Sequence, residues 1–140
     1  MILPPARLVR WFFWPYACLI FALTHWPKLE IKADIPRPDL IIHVVVFGSW
    51  TAVFIMCGFF GPRLEKRPVL ISGAVSLAYS AVDEALQLIP FINRHAGLDD
   101  AAANALGVAL ATAGMLLLGH VLRGRAGARA GSLEGPMKQA

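Results

Sequence analysis

The chain has 140 residues, 57% of them hydrophobic and 16% charged, with a net charge of +4. An ordinary soluble domain is about a quarter charged, so this composition argues for an integral membrane protein, and the length allows one compact unit. No basic patch is interleaved with aromatics, so no nucleic-acid partner is expected, and no phosphate-binding glycine loop, nucleophile elbow or Cys/His zinc spacing occurs.

Four apolar runs each reach the length of about 20 residues that spans a bilayer as a helix. The first runs from about Leu8 to Trp26. Arg7 and Arg10 precede it as in a signal peptide, but it ends Thr24-His25-Trp26-Pro27 without a small-residue cleavage site, so it reads as a retained helix. Trp11, Trp14 and Trp26 near its ends suit an interfacial aromatic belt. A charged, proline-containing loop follows to Pro38. The second run covers about Asp39–Phe60 and stops at Gly58 and Gly61-Pro62. The third covers about Val69 to Leu88, limited by Pro90. The loop Pro90–Asp99 carries Asn93, Arg94 and His95. The fourth covers about Asp100–Leu122, with Asp99 as expected N-cap. The expected fold is therefore all-α: a polytopic bundle of four transmembrane helices over residues 1–122. Residues 123–140 form a Gly-, Ala- and Arg-rich tail that is expected to be disordered. Cys18 and Cys57 lie far apart in apolar runs and read as core thiols.

With four spans, both termini and the middle loop share one side. That side holds Arg7, Arg10, Arg63, Lys66, Arg67, Arg123, Arg125, Arg129 and Lys138, against Lys28, Lys32, Arg37 and Arg94 on the other. The positive-inside rule puts the nine in the cytoplasm and the four outside. Helix three breaks the apolar pattern near its outer end with Asp83, Glu84 and Gln87. Acids there cost roughly 2.5–3.5 kcal/mol each on insertion scales and mark a functional site by default.

Other helices offer company at the same depth. Asp39 and His43 are four apart and share a face; Asp100 and Asn104 do the same. Ser72, Ser76, Tyr79, Ser80, Asp83, Glu84 and Gln87 form one stripe on helix three. Three polar faces at one depth most economically face each other and make a pocket open to the outer leaflet. In this reading Glu84 is base or acid, His43 its partner oriented by Asp39, and Asp83 a support. Arg94 is the anion clamp, with Gln87, Asp100 and Asn104 completing the binding surface. A structural ion pair of Asp83, Glu84 and Arg94 is the simpler alternative for these residues. Gly107, Ala111 and Gly114 read as a small-residue packing stripe. His25 and His95 read as interfacial residues.

The order Asp39-x-x-x-His43, Tyr79-Ser80-x-x-Asp83-Glu84-x-x-Gln87, Arg94, Asp100, Asn104, Gly107 resembles the VanZ-like family of small bacterial membrane proteins. The resemblance covers Asp39–Gly107, about half the chain. Two positions depart from the family pattern: Leu40 follows Asp39 where the family often has Lys, and Val44 follows His43 where an aromatic is usual. The family's founder is linked to teicoplanin resistance, which implies action at the cell envelope of a bacterial cytoplasmic membrane. The implied ligand is an outer-leaflet lipid, a lipid-linked envelope precursor or a glycopeptide. Acid–base catalysis, a non-catalytic binding or scaffold role, and a small oligomeric carrier all stay open. No cofactor is expected, and a divalent metal held by Asp39, His43, Asp83 and Glu84 is a minor alternative.

Overall fold

The computed structural model describes residues 3–26, 37–87, 89 and 97–134, with side chains described through residue 128. Among them are four helices and no strand: α1 (Ala6–Thr24), α2 (Pro38–Cys57), α3 (Lys66–Gln87) and α4 (Leu98–Glu134). All four are long and apolar enough to cross a membrane.

Proline and glycine set the boundaries. α1 starts after Pro5, and Pro15 sits inside it. α2 has Pro38 in its first turn, where the missing N–H is no loss. It ends on Gly58 at φ 63°, ψ 39°, the left-handed conformation that glycine reaches without a Cβ clash. α3 begins at Lys66, three residues before the expected Val69, because Pro68 is tolerated in a first turn; the Val69 amide donates to the Glu65 carbonyl at 3.1 Å. α4 begins on Gly97, whose carbonyl accepts from the Ala101 amide at 3.0 Å. Asp99, expected as the N-cap, lies inside the first turn instead, where an acid also favours the helix dipole. At its other end α4 does not stop at Leu122 and give way to a disordered tail. It stays helical to Glu134, a total of 37 residues. Ala, Arg and Leu are strong helix formers, and the tail's glycines cost only about 1 kcal/mol each.

The molecule is arranged inside out. Ser72, Ser76, Ser80, Asp83, Glu84, Gln87 and Asn104 are buried, while Trp11, Trp14, Val45, Leu106, Leu110 and Leu117 lie exposed. Large apolar side chains facing outward suit hydrocarbon surroundings and not water. The apolar core is aromatic. Trp50 of α2 stacks on Tyr79 of α3 at 4.7 Å and meets Phe13 of α1 edge-on at 5.6 Å.

At the end opposite the acids, arginines tie the elements together through backbone carbonyls. Arg10 donates to Cys57 O (2.8 Å) and Gly58 O (3.0 Å), and Arg123 donates to Leu64 O (2.7 Å). Three residues counted only as topology signals (Arg10, Arg63 and Arg123) therefore also satisfy carbonyls, Arg63 that of Pro4.

α2 and α4 cross at two glycines. A Cβ on Gly107 would strike the Val44 carbonyl and lie 2.9 Å from the Gly48 amide nitrogen, both backbone atoms that cannot swing away. Gly107→Ala should therefore destabilise the protein by about 1–3 kcal/mol, the usual cost of overpacking. Gly114 has open space where its Cβ would be, so Gly114→Ala should stabilise by about 0.5–1 kcal/mol. Thermal unfolding of the two variants in detergent checks the contrast, and equal shifts would count against the crossing.

Candidate functional site

Asp83 and Glu84 are neighbours on α3, so their side chains leave the helix about 100° apart. Each finds a different set of donors. Asp83 turns to the end of α1, where Thr24 Oγ1 donates to its Oδ1 at 3.2 Å. His25 Nδ1 lies 3.7 Å from the same oxygen. Gln87, one turn on, donates Nε2 to Oδ2 at 3.4 Å. The His25 ring stacks on Phe21 at 4.1 Å and its Nδ1 lies 2.9 Å from the Phe21 carbonyl, which can only accept, so Nδ1 carries the proton.

Glu84 turns to α4. Its Oε1 accepts from the Gly97 amide at 3.1 Å and its Oε2 from Asn104 Nδ2 at 3.4 Å. Asn104 is fully buried. With its amide nitrogen committed to Glu84, its Oδ1 faces His43 Nδ1 at 2.8 Å. That oxygen only accepts, so Nδ1 of His43 carries a proton. Nε2 in turn faces Asp100 Oδ1 at 4.0 Å. That carboxylate oxygen is buried and has no hydrogen-bond partner among the described residues. The result is a chain of contacts, Glu84–Asn104–His43–Asp100, that runs from α3 through α4 to α2 and back to α4.

Over the top of this seam, Arg37 bridges the two helix starts. It donates to Asp99 of α4 and, at 3.4 Å, to Asp39 of α2. Hydrogen bonding to Asp99, then to Asp39, raises the guanidinium pKa above its ordinary range. Arg37 reaches this position from a left-handed backbone, φ 51° and ψ 58°, uncommon for a side chain with a Cβ.

Seven of the eight expected site residues can be placed. Asp83, Glu84, Gln87, His43, Asn104 and Asp100 come together as the shared depth implied. Asp39 does not orient His43. Half exposed, it pairs with Arg37, and Asn104 takes the orienting role. The reason is that four-residue spacing fixes a shared helix face but not which side chain reaches a partner across the seam. Arg94, the expected anion clamp, and His95 lie outside the described residues. Thr24, His25 and Arg37 are additions. The first two close α1 at its C-terminal end, on the same side of the bundle as Asp39 and His43 at the N-terminal end of α2, which was the available signal. Among the described residues no group of three His, Cys, Asp or Glu side chains is placed to hold a metal ion.

The class these features define is a four-helix protein with the make-up of a multi-pass membrane protein and a buried acid–histidine network at one end. No family model, no curated protein and no solved structure matches the chain.

Asn104 is the piece that both halves of the relay need. Asn104→Ala would leave His43 Nδ1 and Glu84 Oε2 without partners, at about 1–3 kcal/mol for each buried group left unsatisfied. Thr24→Val removes one donor among several on Asp83 and should cost near the average of about 0.6 kcal/mol for hydrogen bonds between membrane helices. Denaturant unfolding in detergent checks the ranking, and a Thr24 variant as damaging as the Asn104 variant would show the bridge to be unimportant.

Proposed function

We propose that this chain is a VanZ-like protein of a bacterial cytoplasmic membrane and that its acid–histidine network is an outward-facing site. Both termini lie in the cytoplasm. The site takes the head group of an outer-leaflet lipid or of a lipid-linked envelope precursor, and His43 Nε2 exchanges a proton with it. The observation that carries this reading is the oriented ring: Asn104, held by Glu84, accepts from Nδ1 of His43 and turns Nε2 toward Asp100. A ring held in one tautomer by an orienting partner is what general base catalysis asks of a histidine. Glu84 has both oxygens occupied by donors, so in this proposal it orients the relay and His43 is the base.

A second reading is a non-catalytic binding or scaffold module linked to glycopeptide resistance. It draws support from the pairing of Asp83, whose two oxygens also both accept hydrogen bonds. An oligomeric carrier has less support: below the site, Ser76 and Ser80 return their hydroxyls to their own helix, at Ser72 O (2.8 Å) and Leu77 O (2.9 Å).

The test is teicoplanin susceptibility of a sensitive Gram-positive host expressing the chain. Wild type should raise the inhibitory concentration, and His43→Gln, which keeps size and polarity but cannot take up a proton, should return it to the vector level at unchanged membrane abundance. Full protection by His43→Gln would overturn the acid–base reading in favour of the binding module. No protection by wild type would overturn the link to glycopeptides. Orientation has its own check. A cysteine at Leu98, which is 93% exposed, should react with an impermeant maleimide on intact cells, while one at Arg125 should react only after permeabilisation. The reverse pattern would invert the topology.

A further inference from the structure

We propose that the turn between α2 and α3, residues 58–65, binds the phosphate of an anionic phospholipid. This turn lies at the end opposite the acid–histidine network and owes nothing to the reading of that network. Three arginines from different elements are anchored on it. Arg10 of α1 donates from Nε and Nη2 to the carbonyls of Cys57 and Gly58. Arg63 belongs to the turn and donates to the Pro4 carbonyl. Its stem lies against Gly58, where an added Cβ would be 3.0 Å from the Arg63 Cγ. Arg123 of α4 donates to the Leu64 carbonyl at 2.7 Å. A guanidinium carries five N–H donors, so each of the three keeps donors beyond those spent on carbonyls. Among the described residues, none of the three has a carboxylate within ion-pair distance.

A carbonyl orients a guanidinium but leaves its charge uncompensated. The rest of the chain adds little compensation here: Glu65 and Glu134 are the acids that the sequence puts on this side, against the nine basic residues counted above, with the tail to Ala140 included. Oriented guanidinium forks with spare donors suit phosphate oxygens, which accept two parallel N–H bonds from one arginine. Depth then favours a lipid phosphate over a soluble one. From Leu98 to Arg123 α4 rises about 38 Å, and from Pro38 to Gly58 α2 rises about 30 Å, at 1.5 Å per residue. A bilayer has a core of about 30 Å, or about 40–45 Å with its head groups. Spans that fill the core therefore leave this turn and Arg123 at head-group level. Trp11, Trp14, Phe59 and Phe60 are exposed at the same end, as interfacial aromatics are. Trp14 meets Phe59 at 6.4 Å, and the Arg10 guanidinium lies over the Phe59 ring at 5.0 Å. An aromatic rim beside unpaired arginines is the make-up of a membrane surface site.

The probes are short-chain phosphatidylglycerol, phosphatidylcholine with the same chains, glycerophosphoglycerol as the first head group without chains, and polyglutamate. Each is titrated calorimetrically into the full chain in an uncharged detergent at about 0.15 M salt, where distant charges are screened. The choline lipid has the same phosphate but adds a cation that the arginines repel. Phosphatidylglycerol should bind at least about tenfold more tightly, the worth of one charge-assisted hydrogen bond. Arg10→Gln, Arg63→Gln and Arg123→Gln should each weaken its binding about tenfold. Arg67→Gln and Arg125→Gln remove the same charge from exposed residues outside the anchored set, and should change it by no more than about twofold. Equal affinity for the two lipids overturns the proposal. An equal loss in all five variants also overturns it, since the surface would then be diffuse charge without a located site. Glycerophosphoglycerol binding as tightly as the lipid would transfer the turn to a soluble phosphate, and polyglutamate binding more tightly would transfer it to an acidic protein; both overturn the lipid assignment. If the three variants at the turn do not fold, the wild-type comparison of the two lipids decides alone.

Discussion

A carboxylate taken out of water has to be given donors, and α3 buries two carboxylates on consecutive residues. Left unpaired, each would cost several kcal/mol. One helix cannot serve both, because neighbouring side chains diverge. Asp83 and Glu84 therefore recruit different parts of the chain: Thr24 at the end of α1 for the first, Gly97 and Asn104 at the start of α4 for the second. Asn104 passes the demand on to His43 of α2. All four helices meet at this end because two adjacent acids need them to.

The apolar scaffold is shaped to let this happen. For Asn104 and His43 to come within hydrogen-bond distance, the α2 and α4 backbones have to approach closely just below them. Gly107 against Val44 and Gly48 supplies that approach. Gly73 does the same for α3, where an added Cβ would press on Thr112. Small residues at crossings and polar residues as glue are how membrane helices associate when surrounding lipid is as apolar as the side chains. The aromatic cluster of Phe13, Trp50 and Tyr79 fills the wider space where no such approach is needed. At the far end, Arg10 and Arg123 close the bundle on carbonyls.

Periodicity made the helices and the polar stripe legible, since an apolar run's length and the 3.6-residue repeat survive in any context. The stripe from Ser72 to Gln87 is buried as its spacing implied, except for the half-buried Tyr79. Partner choice was not legible. Asp39 and His43 share a face, but whether Asp39 turns down to His43 or out to Arg37 depends on where α4 puts Asp99. That is a tertiary fact with no sequence period. Arg37 read only as a topology charge, because its bridging reach comes from a left-handed backbone that sequence propensity disfavours for arginine. His25 looked interfacial because α1 carries no other ionisable group near that end; its role appears only once Asp83 is across from it. The helical continuation to Glu134 was masked by glycines, which lower propensity without forbidding a helix anchored upstream.

The placement of hydrogen-bond donors also decides which group in the network is free to act. An acid that accepts from two donors on its two oxygens is held, and pulling a proton onto it would break a bond that orients its neighbour. Glu84 is in that position. The opening is one step along, where His43 Nε2 faces, at 4.0 Å, an Asp100 oxygen with no hydrogen-bond partner among the described residues. A buried acceptor left open costs stability, and a fold that satisfies Asp83 and Glu84 so fully yet leaves Asp100 Oδ1 open gives something up at that point.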